Sequence, residues 1–177
     1  MAPRYTLDDL TEYITPSAWR AEGFDWRRDE QAIDSTLPSD YENFMRSYGP
    51  GGIAGYLYIE PPMAVDGLQG MSVPEGDLLA DMESPYPAFP EPGGLVYLGG
   101  DSDADVIFYL AEGNPDEWAI VVRRRHNSYN DTGWRLYRCG LVDFLVRMFR
   151  REFDGNPLSG NDLWGRGRHE LEFQSDL

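Results

Sequence analysis

The sequence predicts an α+β domain: an antiparallel β-meander packed by helices that precede it and closed by one helix that follows. Three observations carry this. Apolar residues recur at helical spacing up to Tyr48 and again from about Gly140. Between them, short apolar runs alternate with clusters of Gly, Asn, Asp and Pro. The links between those runs are too short for parallel crossovers, so neighbouring strands run antiparallel. The 177 residues fit one domain with a sizeable core.

In chain order, Thr6 and Asp9 stand at capping-box spacing and predict a short helix over residues 7–14. Thr15-Pro16 offers a cap and an N1 proline for a turn carrying Trp19, and Asp25 can cap a helix from Trp26 to about Ile33. Pro38 opens a clearer helix on which Tyr41, Phe44, Met45 and Tyr48 share a face, and Gly49-Pro50-Gly51-Gly52 ends it. Gly55–Glu60 reads as a strand stopped by Pro61-Pro62. Within 63–93, Pro74-Glu75 begins a helix with Leu78, Leu79 and Met82 on one side, followed by an extended loop rich in proline.

The meander then runs Leu95–Leu98, Val106–Leu110, Trp118–Val122 and Trp134–Tyr137, with turn residues in every link. A closing helix spans about Gly140 to Phe153, with Leu141, Phe144, Leu145, Met148 and Phe149 on one stripe and arginines in its last turns. Residues 154–177 read as a polar, Gly-rich extension whose anchors are Trp164, Leu171 and Phe173.

Charge narrows the function. There are 31 Asp plus Glu against 15 basic residues, all Arg, for a formal net charge of −16. A phosphate surface needs a positive counterpart, so the balance argues against a nucleic-acid or anionic-membrane binder and permits a basic protein partner. No run is long and apolar enough for a membrane span, and the first residues lack the apolar stretch of a secretory signal, so a cytoplasmic location is expected. A single cysteine excludes an intramolecular disulfide and a four-cysteine zinc site, and two histidines leave little for a metal centre. No cofactor is expected.

The candidates for chemistry are weak. Asp101-Ser-Asp103-Ala-Asp105 imitates the opening of a calcium loop with Glu112 at its twelfth position, but Val106 replaces the required glycine, and an acidic hairpin turn is expected instead. Gly49–Gly55 follows a helix and precedes a strand, the reverse of a phosphate cradle. Cys139 would need a base, and His126 is the nearest in sequence. Arg123-Arg124-Arg125 ends a strand, where alternation splits the three side chains between faces, and pairing with carboxylates is expected. These residues support no enzyme.

Leu37-Pro-Ser-Asp-Tyr41, continuing to Tyr48-Gly-Pro-Gly51, resembles the "LPxDYxxF…YGPG" block of the SUKH superfamily. Gly94–Gly99 with Asp105–Leu110 is similar to that family's glycine, acidic turn and aromatic strand, Asn114–Val122 to its "PDxWxVVV" strand, and Val142–Leu145 to its closing helix. The resemblance covers about residues 24–153. It departs at Tyr97-Leu98, where members often carry Pro-Trp, and at Asp103-Ala104, where they often carry Asn-Gly. The shared residues read as structural: Leu37 and Tyr41 anchor a helix, Trp118 and Val121 pack a sheet, and Gly99 permits a turn.

The resemblance implies a non-catalytic binding module. Bacterial members of the family neutralise secreted toxins, often nucleases, and another member regulates yeast cell-wall synthesis. The leading expectation is therefore an immunity-type protein that neutralises a cognate toxin domain with a basic surface. An intracellular scaffold is the alternative. Asp101, Asp103, Asp105, Glu112, Asp116 and Glu117, on adjacent turns of the meander, are the expected acidic rim for that partner.

Overall fold

The computed structural model describes residues 4–16, 35–61 and 72–175. The expected helix Trp26–Ile33, the turn carrying Trp19 and the first part of the 63–93 segment lie outside the described residues. Among the described residues there are four α-helices: α1 (Leu7–Thr11), α2 (Ser39–Tyr48), α3 (Gly76–Asp81) and α4 (Leu141–Phe149). Seven strands accompany them: β1 (Gly51–Ile53), β2 (Leu57–Ile59), β3 (Gly94–Asp101), β4 (Val106–Ala111), β5 (Ala119–Arg123), β6 (Trp134–Tyr137) and β7 (Phe173–Ser175). They form one antiparallel sheet in the order β6-β5-β4-β3-β2-β1-β7. The α+β meander expected from the sequence is the fold.

Strand alternation divides the core in two. Val96, Leu98, Ile107, Tyr109, Ile120 and Val122 face α1, α2 and α4 in the main core, while Leu95, Phe108, Leu110, Val121 and Trp134 pack on the opposite side with Leu79 of α3. The proline-rich loop covers that second side through Tyr86 and Ala88. Both faces of β3, β4 and β5 are therefore largely covered, which is why these strands read as nearly continuous apolar runs without polar alternation.

Several local expectations change. The capping box of α1 forms, with Asp9 Oδ2 accepting from Thr6 N at 2.8 Å, but the helix ends at Thr11. Leu78 of α3 is 47% exposed, so only Leu79 of that helix is buried. The closing helix stops at Phe149, because Arg151 adopts a positive φ of 56° and Glu152 N turns back to Arg147 O. It is also buried on every side, Val142, Asp143 and Val146 included, so it sits in the middle of the core where one apolar stripe was expected. Gly99 lies inside β3, at the bulge between Tyr97 and Gly99, and a side chain there would collide with the carbonyl of Tyr58 in β2. Close strand approach, not a turn, is what requires glycine.

The largest revision is the C-terminal extension. Leu158, Leu163 and Leu171 are buried, and β7 pairs with β1 at the edge of the sheet. Trp164 and Phe173 pack against the main core as expected. The segment from 154 onward thus completes the sheet.

Candidate functional site

Three of the motif blocks meet in space. In the loop after β4, Asn114 Oδ1 accepts from Asp116 N at 3.0 Å and shapes a 3₁₀ turn over Pro115–Glu117. That turn aims Asp116 at α2, where its Oδ1 accepts from Ser39 N at 2.7 Å. The next residue, Asp40, repeats the move: its Oδ2 accepts from Val142 N, in the first turn of α4, at 3.2 Å, and its Oδ1 accepts from the Tyr109 hydroxyl at 3.3 Å. Each carboxylate satisfies an orphan donor at the start of another helix, where the dipole favours negative charge. Gly140 precedes α4 because a Cβ there would overlap the Asp40 carboxylate.

Beside this relay lies a cleft of about 400 Å³, lined by Ser39, Asp116, Glu117, Arg138, Cys139 and Asp143 among others. Its character is anionic, with Arg138 the one cation among the described lining residues. Burial raises the Asp40 carboxyl above the ordinary aspartate range, partly offset by the Val142 amide and other donors. Burial raises Asp143 likewise, with Arg147 opposing. The indole Nε1 of Trp118, which packs against Tyr109 and Phe89, is buried without an acceptor.

The six carboxylates expected to share a rim do not do so. Consecutive turns of a meander fall at opposite ends of the strand between them, and the six residues of β4 put about 20 Å between the two turns. At the near end the carboxylates serve the fold. Asp101 Oδ1 accepts from Asp103 N and Asp105 N, closing the expected acidic hairpin, and Asp103 Oδ2 accepts from the Tyr56 hydroxyl at 2.9 Å. Asp105 is 1% exposed and bound by Arg125 N, Ser159 N and Ser159 Oγ at 2.5–2.7 Å. It pins the C-terminal segment and is shielded from any partner. At the far end Glu112, Asp116 and Glu117 are exposed on the loop beside the cleft.

Geometry also bears on the weak Cys139 candidate and on the arginine run. Cys139 O bonds Ile120 N near the start of β5, whereas His126 lies beyond that strand's other end, so the two cannot act together. Burial pushes the Cys139 thiol up to about 12, helped by Asp143, and it stays protonated at neutral pH. The side chains of Arg123, Arg124 and Arg125 form no salt bridge among the described residues, although Arg124 acts after Arg135 in drawing down the Asp131 carboxyl: Arg123 reaches the Arg124 carbonyl at 2.6 Å, and the Nε atoms of Arg123 and Arg124 are buried without acceptors.

Among the described residues, no group of three His, Cys, Asp or Glu side chains is placed to hold a metal ion, and no helix is long and apolar enough to cross a membrane. Comparison with protein-family models, curated proteins and solved structures returned no match. The sequence reading missed Asp40 and Asp143. The signal for Asp40 was its position one residue after Ser39 in a block read only for its apolar anchors. Asp143 gave none, being one acidic residue in an apolar helix.

Proposed function

We propose that this chain is a non-catalytic, immunity-type binding protein that neutralises a cognate toxin domain with a basic, nuclease-like surface. The observation that supports this best is the exposed carboxylate loop of Glu112, Asp116 and Glu117 beside a cleft whose lining adds Asp40 and Asp143. A cationic loop or helix end of the toxin enters there, guided by complementary fields that raise the encounter rate more than the affinity. The motif residues shared with SUKH-like sequences serve this reading indirectly, since Asp116 and Asp40 position the loop and the two helix ends that frame the cleft.

The test is titration of the purified chain with any small basic domain encoded by an adjacent gene, over a range of ionic strength. A one-to-one complex that abolishes toxin activity and associates more slowly at high salt is expected. An association rate indifferent to salt overturns the steering argument. Recovery of several unrelated partners with no tight toxin complex overturns the immunity reading in favour of a scaffold.

A further inference from the structure

A second concave surface carries the opposite charge. Strand β6 is an edge of the sheet, with no strand on its outer side among the described residues. Along it runs a groove of about 790 Å³ between residues 135–138 and residues 153–156, lined by Arg124, Arg135, Arg138, Arg147, Tyr137 and Phe153. On a protein of net charge −16, four arginines on one groove are a local inversion of sign. Asp154 is the one carboxylate among the described residues that line it.

The arginines are held ready. Arg135 is fixed by its ion pair with Asp131. The Arg147 guanidinium lies 4.3 Å over the Phe153 ring, and its Nε, like that of Arg124, is buried with no acceptor. Arg138 projects into solvent. A guanidinium already held in place, by Asp131 for Arg135 and by the Phe153 ring for Arg147, loses less side-chain freedom on pairing, so an arriving carboxylate gains more than at a mobile surface arginine. The backbone is equally open. Arg124 N donates to Gly133 O and Val122 pairs with Arg135, a register that turns the N–H and C=O of Leu136 toward the free side.

We propose that this groove takes an extended, carboxylate-rich peptide segment of a partner protein, added along the open edge of β6. Main-chain pairing supplies the register and the arginines supply the selection for acidic side chains. The volume suits several side chains rather than a single small anion. The protein's overall negative charge does not forbid this, because at physiological salt charges beyond about 8 Å are largely screened and the nearby arginines dominate. The proposal goes beyond the toxin reading: the groove shares only Arg138 with the acidic cleft and selects the opposite charge.

The experiment uses the whole chain and a fluorescein-labelled peptide of four Glu-Val repeats, with a Lys-Val peptide of equal length as counterpart. Fluorescence anisotropy at physiological salt is expected to show the Glu-Val peptide binding at least about tenfold tighter, and Arg138→Glu to weaken it by about tenfold, a change of 1.4 kcal/mol. Arg124→Gln is expected to weaken it by about threefold, within what one charge-assisted hydrogen bond supplies. Both variants should keep the parent melting temperature within about 2 °C, since exposed or half-buried arginines are replaced. Backbone amide shifts on binding should centre on residues 135–138.

Equal binding of the two peptides overturns the proposal, as does undiminished binding by both variants. So does displacement by millimolar inorganic phosphate alone, which would mark a small-anion site, or equally tight binding of a labelled single-stranded DNA octamer. None of these readouts involves the toxin, so the two readings fail independently.

Discussion

The two ends of β4 each carry three carboxylates and put them to different uses. At its start Asp101, Asp103 and Asp105 turn inward onto backbone amides, a tyrosine hydroxyl and Ser159. At its end Asp116 spends one oxygen on Ser39 N, while Glu112, Asp116 and Glu117 stay exposed. The turns have similar composition, so composition does not make the difference. Residues 156–160 fold over the first end, with Gly160 N donating to the Tyr56 hydroxyl that in turn binds Asp103. Carboxylates covered by another segment lean on hydrogen bonds within the fold, though Asp101 Oδ2 is buried without one, whereas those at the far end stay exposed to water.

Substitutions can break or sharpen this contrast. The largest effect is expected from Asp105→Ala, which strands the amides of Arg125 and Ser159 in a buried site and should cost about 3 kcal/mol in urea unfolding. A loss below about 1 kcal/mol would show the near end to be as solvated as the far one. Asp40→Ala removes the acceptor for Val142 N and the Tyr109 hydroxyl and should cost about 2 kcal/mol.

Asp40 also gives a pH dependence. Its carboxyl is raised in the folded state, so its favourable contribution is full below the ordinary aspartate value of about 3.9 and is lost as pH rises from there through the folded value. Burial raises Asp101 too, with the same sign. Asp40→Asn should therefore flatten that part of the stability profile, measured by urea unfolding at stepped pH; an unchanged slope would place the titration elsewhere. Asp116→Ala, the loss of one exposed cap, should cost about 1 kcal/mol by the same assay. Smallest of all, Glu112→Gln should stay within about 0.5 kcal/mol of the parent while slowing association with a basic partner. A stability change larger than that would mean Glu112 is structural after all.

Much of the fold was legible. The helix Ser39–Tyr48, the strands from Gly94 to Tyr137 and the start of the closing helix follow from apolar period and turn chemistry, which act over a few residues. The short strand Gly51–Ile53 was hidden because a glycine pair reads as a helix stop; it becomes a strand because β2 and β7 pair with it on either side, and glycine at 51 lets β7 approach, since a Cβ there would collide with the Gln174 carbonyl. The cleft was half legible. Asp116 and Glu117 were expected on a surface turn, but the meeting of Asp116 with Ser39, 77 positions away, has no local signal.

Read alone, the chain determined its class, its meander and its surplus of negative charge, since helical period, strand runs and titratable composition are properties of short windows or of the whole sum. Only the tertiary structure decided which carboxylates are covered and which stay exposed, that the polar tail closes the sheet, and that four arginines spread over residues 124–147 line one groove. Those outcomes depend on which distant segment covers which surface, and desolvation, the force that separates a structural carboxylate from an exposed one, exists only after that covering is made.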